Sequence, residues 1–146
     1  MNKPYFLAFT GDTAAPHLSD VPFEGPLAAI RVGRIDGKLI AYPTQEELET
    51  SDMDVVVAAT RDAIVMVEGG GDEIAEKDLV DALEWGHQSV MPLLDLQQAL
   101  RDSVGKTKVQ VPAPQVNTVL ADRVERDYSA AVDEASQIKI KQDRYG

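Results

Sequence analysis

The chain has 146 residues, of which 25 are acidic and 14 basic, so its net charge is −11 at pH 7. This excess of acid argues against non-specific nucleic-acid binding by the chain alone, because affinity for a phosphate backbone comes mainly from lysine and arginine. The absence of cysteine excludes disulfides and thiolate metal sites, and no apolar run approaches the roughly 20 residues of a membrane helix, so we expect a soluble, cytoplasmic protein without a membrane partner.

The first predicted element, residues 4–19, is a weak or broken helix. Its apolar start, PYFLAF, fits either a buried strand or the first turn of a helix. Asp12 can cap a turn that follows it, but Pro16 lies inside that turn and has no amide proton to donate. We therefore expect about one distorted helical turn and then a loop rich in proline and glycine.

Two consecutive hairpins are predicted next, and they carry the strongest β signal in the chain. Residues 27–35 and 38–42 flank Asp36-Gly37, and Asp-Gly between apolar runs is typical of a two-residue type I′ turn. Residues 54–60 and 63–68 form the second pair. Their runs VVV and IVMV are almost continuously apolar, as in strands covered on both faces. Another element must therefore cover this sheet.

A capping box predicts a short helix between the hairpins. Thr44 can accept from the amide of Glu47, while the Glu47 carboxylate reaches back to the amide of Thr44. The acidic first turn also complements the positive end of the helix dipole. We expect this helix to end near Thr50.

The element that covers the sheet is predicted to be a long amphipathic helix over residues 72–104. Gly69-Gly70-Gly71 is expected to break the preceding strand. Over about 30 residues the helix would span roughly 45 Å, so we expect a kink or break near Pro92. Its apolar positions recur at spacings of three and four: Leu79, Leu83, Gly86, Val90 and Leu94.

The C-terminal part is predicted to be helical. Residues 106–114 form an extended connection with proline, residues 116–135 carry apolar side chains at helical spacing, and a further helix begins in the locally basic tail QIKIKQDRYG. The fold class is therefore α+β: two hairpins forming a sheet covered by a long helix, followed by an all-α segment.

No active site emerges from the residues alone. His17 and His87 lie in different elements without metal-ligand spacing, so we expect no zinc site. Asp52 and Asp54 are two apart at a strand entry and would suit Mg²⁺, but a role in capping and solvating the strand is the better interpretation. The three glycines lack the lysine of a phosphate-binding loop.

Three arginines are candidates for contact with RNA. Arg31 and Arg34 lie on opposite faces of a predicted strand, and Arg61 lies in a predicted turn. An arginine at such a position can meet an RNA phosphate, although simple solvation is the default role of an exposed one.

A family resemblance extends this interpretation. The run PFEGPLAAIRVGRIDGKLIAYPTQEELETSDMDVVVAATRDAIVMVEGG, then EKDLVDALEWGHQSVMPLLDLQ and VPAPQVNTVLADRVERDYSAAVDEASQIKIKQDRYG, resembles bacterial polynucleotide phosphorylase. The resemblance implies that residues 1–105 are the second half of its first RNase PH-like core, half of a ribosomal protein S5 domain 2-like fold. Residues 106–146 would begin its all-helical linker domain, and the chain would be an excised or truncated segment.

The resemblance implies where chemistry is absent as well. That family is a trimer that degrades RNA from its 3′ end by phosphorolysis with Mg²⁺ and phosphate, and its catalytic carboxylates belong to the second core. Matched to that pattern, this chain has Tyr42 and Leu48 at the carboxylate positions. The segment is thus expected to be a non-catalytic copy, with no catalytic residue, metal or cofactor of its own. The sequence Gly11-Asp12-Thr13-Ala14-Ala15-Pro16 also departs from the helix start of the family.

Three functional hypotheses follow. The first is a structural segment of the RNA-degrading enzyme, inactive by itself, whose partners are the rest of that chain, RNA and further copies in a ring. The second is an independent acidic protein-interaction module without RNA binding. The third is a small-nucleotide regulatory pocket.

Overall fold

The computed structural model describes residues 5–145. They belong to two compact units, Met1–Gln110 and Val111–Gly146. The first unit is a four-stranded antiparallel sheet with three helices, and the second contains two helices. This is the predicted α+β class.

Both predicted hairpins are present. The strands are β1 (Ala28–Ile35), β2 (Lys38–Ala41), β3 (Met53–Ala59) and β4 (Ile64–Gly71), in the order β2-β1-β3-β4. Asp36 and Gly37 have φ values of 48° and 75°, and positive φ at both central residues is the signature of the type I′ turn. The sequence thus predicts the first hairpin and its turn correctly.

Helix α1 (Tyr5–Leu18) is longer than the distorted turn expected from the sequence. Pro16 lies in its last turn, where the missing amide costs one hydrogen bond and leaves the earlier turns intact. Tertiary contacts hold the helix: the Thr13 hydroxyl donates to the carbonyl oxygen of Leu27 at 2.7 Å. The expectation of a broken helix was therefore wrong, because local propensity was overridden by contacts with the rest of the unit.

Helix α2 (Gln45–Leu48) begins with the predicted capping box. The Glu47 amide donates to the Thr44 hydroxyl at 3.3 Å, and the Thr44 amide donates to the Glu47 carboxylate at 2.7 Å. The hydrogen bond from the Thr44 amide to the carboxylate, and then the Thr44 side chain, lower the pKa of Glu47, because they stabilise its charged form.

Helix α3 (Glu76–Val104) is the long amphipathic helix and is continuous across Pro92, so the expected break does not occur. Its buried residues are those that face the sheet: Ala82, Gly86, Val90, Leu94 and Gln97. Gly86 allows the close approach, because an added Cβ would lie 3.2 Å from Val32 Cγ2 and 3.3 Å from Val57 Cγ2. Burial of this apolar stripe is what joins the helix to the sheet.

The core lies between α3 and the two central strands. In β1 the six residues from Ala28 to Gly33 are all buried, so both faces of that strand are covered. Strand β4 differs: after Ile64 all its residues are exposed, including Val65, Met66 and Val67. The interpretation of β4 as covered on both faces was therefore wrong, because it is an edge strand and α3 packs mainly on β1 and β3.

The glycines were also expected to end β4, but the strand continues through Gly71. Gly69 pairs with Val55 and has φ +152°, and a Cβ there would lie 2.2 Å from the carbonyl oxygen of Asp54. A glycine is needed at this position because the two backbones approach too closely for a side chain.

The second unit consists of α4 (Thr118–Ser136) and α5 (Lys141–Tyr145). The Asn117 side chain caps α4 by accepting from the amide of Leu120 at 3.0 Å. Along residues 5–145, no helix combines the length and apolar character needed to cross a membrane.

Candidate nucleic-acid interface

Arg31 is the most buried of the three candidate arginines. It lies in β1, where its side chain is only 10% exposed. Its guanidinium makes a bidentate pair with Asp54 of β3: Nε donates to Oδ1 at 2.5 Å, and NH2 donates to Oδ2. Strand pairing creates this contact, because Gly33 lies opposite Asp54 and Arg31 is the next residue on the same face. The Arg31 guanidinium is therefore engaged by a carboxylate within the sheet.

Arg34 joins three elements. Its Nε and NH2 donate to Asp52, which precedes β3, at 2.9 and 2.8 Å, and its NH1 donates to Asp78 in the first turn of α3 at 2.7 Å. The hydrogen bonds with Asp52, then those with Asp78, raise the pKa of Arg34 above its usual value, and Arg34 lowers the pKa of Asp52. Each group stabilises the charged form of the other.

Arg61 is the exposed candidate. It lies in the turn between β3 and β4, is 56% exposed, and donates to Asp95 of α3. An ion pair at such exposure contributes little to stability, since water screens it. Of the three arginines, Arg61 is thus the most exposed and the one whose carboxylate partner is displaced most easily.

An apolar cavity of about 380 Å³ lies beside Arg31. Its walls come from α1, β1, the residues after β2, and α3, with Phe6, Tyr42 and Leu93 among them. The rings of Phe6 and Tyr42 meet edge to face with centroids 5.6 Å apart. The Tyr42 hydroxyl donates to the carbonyl oxygen of Ala29 at 2.9 Å, and burial raises the pKa of Tyr42.

Sequence reasoning considered Tyr42 only as a residue unable to bind metal and missed this packing role. The backbone φ of Tyr42, +53°, is unusual for a residue other than glycine. The tyrosine follows the last residue of β2 and its amide donates to the carbonyl oxygen of Arg31 at 2.8 Å. No signal in the sequence indicates such a backbone conformation at a tyrosine.

The carboxylates considered for Mg²⁺ do not suit it. Asp52 is held by Arg34 and Asp54 by Arg31, so a cation there would have to displace a guanidinium. Tyr42 uses its hydroxyl as a donor, and Leu48 has no ligand atom. Among the described residues, no three His, Asp or Glu side chains cluster as metal ligands.

The two histidines are separate. His87 packs against the β3–β4 turn, with Nε2 3.0 Å from the carbonyl oxygen of Thr60. His17 is buried near the end of α1, and its ring lies edge to face with Phe23.

Comparison with known proteins identifies the relationship. Residues 25–89 match the 3′ exoribonuclease family, domain 2. The polyribonucleotide nucleotidyltransferase of Pelobacter propionicus is 46% identical over 144 residues, which are 99% of this chain and 20% of that protein. The chain resembles one segment of a polyribonucleotide nucleotidyltransferase.

Further polyribonucleotide nucleotidyltransferases show the same relationship. That of Geobacter sulfurreducens is 45% identical over 144 residues, which cover 99% of this chain and 21% of that protein. That of Sorangium cellulosum is 45% identical over 148 residues, covering 99% of this chain and 19% of that protein. The chain thus spans about a fifth of the length of the relatives that it matches, and the resemblance stated from the sequence is confirmed.

Proposed function

We propose that this chain is a structural segment of a phosphorolytic 3′–5′ exoribonuclease of the polyribonucleotide nucleotidyltransferase type. In this proposal it acts in the cytoplasm, contributes no catalytic residue, metal or cofactor, and scaffolds an RNA-degrading ring of identical chains. Mg²⁺ and phosphate would be used elsewhere in the longer enzyme. Arg61 would offer a contact along the path of the RNA.

The observation that carries this proposal is the pairing of acidic and basic side chains across the sheet. Arg31 and Asp54 join β1 to β3, while Arg34 joins β1 to Asp52 and Asp78. These carboxylates pair with arginines within the fold, which favours a structural role for them over the binding of a catalytic metal.

A phosphorolysis assay tests the catalytic part of the proposal. The purified chain is incubated with oligo(A), phosphate and Mg²⁺, and a full-length relative such as the Geobacter sulfurreducens protein serves as positive control. We expect nucleoside diphosphate from the control only. Sustained release by the purified 146-residue chain would overturn the assignment.

Matched variants test the RNA contact. Arg61→Ala and Lys77→Ala each remove one exposed cation that is paired with an aspartate, Asp95 and Asp81 respectively. In a salt-dependent RNA shift assay we expect Arg61→Ala to weaken binding roughly threefold, and Lys77→Ala to leave it unchanged. Equal effects of the two variants would show that Arg61 has no special position.

A second function, an acidic protein-interaction module, is favoured by the exposed edge strand. Val65, Met66 and Val67 are 55%, 39% and 49% exposed, and an apolar edge strand is suited to pairing with another chain. Size-exclusion chromatography with light scattering, together with the RNA assay, separates the two functions. A self-associating or partner-bound chain without measurable RNA affinity would favour the module over the scaffold of an RNA enzyme.

A further inference from the structure

The cations of the segment from Arg101 to Lys108 differ from most others in the protein. Elsewhere in the described residues, six basic side chains form ion pairs with aspartates: Arg31, Arg34, Arg61, Lys77, Arg123 and Arg126. Arg101, Lys106 and Lys108 form no such pair within residues 5–145, although the chain carries a net charge of −11. Three cations without carboxylate partners are therefore gathered within eight residues of an acidic protein.

Two of these cations are fixed by the C-terminal end of α1. Arg101 NH1 donates to the carbonyl oxygen of His17. Lys108 Nζ donates to the carbonyl oxygens of Pro16 at 2.6 Å and Ser19 at 2.9 Å. The negative end of a helix dipole favours cations, but carbonyl groups carry only partial charge. The contacts thus hold Arg101 and Lys108 in place without neutralising them.

The three residues line one open pocket of about 450 Å³. Thr107 and Asp102 also line it, and the Asp102 carboxylate accepts from Gln98 Nε2 at 2.8 Å. Three basic residues and one acidic residue line the pocket, so its lining carries a net positive charge. A guanidinium with several N–H donors and two ammonium groups are the groups that proteins use to bind phosphate.

The charge of Arg101 also acts on two neighbouring groups, Lys108 and His17. Burial and then the charge of Arg101 lower the pKa of Lys108, although Asp20 acts in the opposite direction. Burial and then Arg101 lower the pKa of His17, with Lys108 adding to the effect and Gln98 and Asp102 opposing it. Both ring nitrogens of His17 are buried without a hydrogen-bond partner. An anion in the pocket would reduce the repulsion among these groups.

We propose that Arg101, Lys106 and Lys108 form a binding site for a phosphate group, carried either by a small molecule or by an RNA backbone. Lys106 supplies an exposed cation, while Arg101 and Lys108 are positioned in advance by α1. The site lies within the first unit and uses none of the arginines proposed above for RNA contact. It therefore stands or fails independently of the proposed function.

Calorimetry of the full chain at low ionic strength tests the site with three probes: inorganic phosphate, AMP and hexa-adenylate. Lys106→Ala is the informative variant, because no contact of that side chain holds the fold. Lys38→Ala is its control, since it removes the same charge from an exposed position at the start of β2. We expect Lys106→Ala to weaken binding roughly three- to tenfold, the loss of one hydrogen bond at an exposed position, and Lys38→Ala to leave it unchanged.

The probes also distinguish the source of the phosphate. If hexa-adenylate binds no more tightly than phosphate and AMP, the site is a small-molecule site. Tighter binding of hexa-adenylate, competed by free phosphate, indicates an RNA backbone. No binding of any probe, or equal losses in both lysine variants, would overturn the proposal.

An independent readout uses the buried histidine. Sulfate mimics phosphate and keeps its double charge throughout the relevant pH range. Sulfate in the pocket should raise the pKa of His17 in an NMR titration of the ring, because it offsets the charges of Arg101 and Lys108. The ring resonances of His87, on the part of α3 near Thr60, serve as internal control. A His17 titration that is the same with and without sulfate would contradict occupancy of this pocket.

Discussion

Strands β3 and β4 are hydrogen-bonded neighbours with similar apolar sequences and opposite environments. Val57 of β3 is directly opposite Val67 of β4, yet Val57 is fully buried and Val67 is 49% exposed. The difference arises because α3 packs mainly on β1 and β3 and also contacts β2, whereas it contacts the β4 edge only slightly or not at all. An apolar run therefore specifies a strand, whereas the position of that strand in the sheet decides whether its side chains stabilise the core or remain available for contact.

The largest expected effect is the loss of stability when the buried member of this valine pair is shortened. Val57→Ala should lower the free energy of unfolding by about 2 kcal/mol, through lost apolar burial and an unfilled cavity. Val67→Ala, its partner in the ladder, should cost about 0.5 kcal/mol because half of that side chain already contacts water. Urea unfolding measures both. Similar losses in the two variants would mean that β4 is covered in solution.

The second prediction concerns what covers β1. Thr13→Val removes the hydroxyl that donates to Leu27 just before β1, and should cost about 1 kcal/mol. Thr10→Val is the matched control, because among the described residues its hydroxyl bonds only to the carbonyl oxygen of Phe6, within the same helix. Thermal unfolding compares the two. If Thr10→Val proves equally costly, the Thr13 bond to Leu27 does not anchor α1.

A smaller loss of stability is expected when acid protonates Asp52, a partner of Arg34. Arg34 lowers the pKa of Asp52 below its unfolded value. The resulting stabilisation is therefore complete above the unfolded pKa and is lost as the pH falls through the folded one. Asp52→Asn should reduce stability at pH 7 and weaken its dependence on pH between about 5 and 3.

Arg34→Gln provides the cross-check for Asp52, since it removes the partner and leaves the carboxylate. It should weaken the same acid dependence, and the double variant should show less than the sum of the two single effects. Fully additive losses in urea unfolding at pH 7 would show that the two side chains are not coupled.

The smallest change in stability is expected at the sheet edge. Val67→Lys should shift the free energy of unfolding by at most about 0.5 kcal/mol, because the side chain is half exposed. A lysine on an edge strand opposes pairing with another chain. Light scattering should thus detect less association than in the unaltered protein, if β4 is a docking edge. Unchanged association would place the contact elsewhere.

Much of the fold could be predicted because its signals are local. Asp36-Gly37 identifies the first turn, the Thr44 capping box starts α2, and the spacing of Gly86, Val90 and Leu94 defines the buried face of α3. The exposure of β4 and the full length of α1 depend on which elements meet in space. Periodicity and proline content carry no information about that.

The candidate site was less accessible from the sequence. Their positions in a predicted strand and turn made Arg31, Arg34 and Arg61 candidates for contact with RNA, but the structure pairs each with one or two aspartates. Their proposed contact with RNA stays a prediction. Two of these partners, Asp78 and Asp95, lie on α3 and are distant in sequence from the arginines they meet. Such pairs follow from the docking of a helix on a sheet and leave no pattern along the chain.

Gly86 gives the first unit a mechanical property. Gly86 allows α3, a helix of 29 residues, to pack closely on Val32 and Val57. A change at Gly86 would therefore tilt the whole helix about this contact. The helix extends about 15 Å from Gly86 to its N-terminal end and about 27 Å to its C-terminal end. A bulkier residue at position 86 would push α3 away from the sheet at this point. A tilt of about 5° would displace the C-terminal end of the helix by about 2 Å. Asp78 near one end and Arg101 near the other would both shift, so one substitution would disturb the Arg34 network and the basic pocket together.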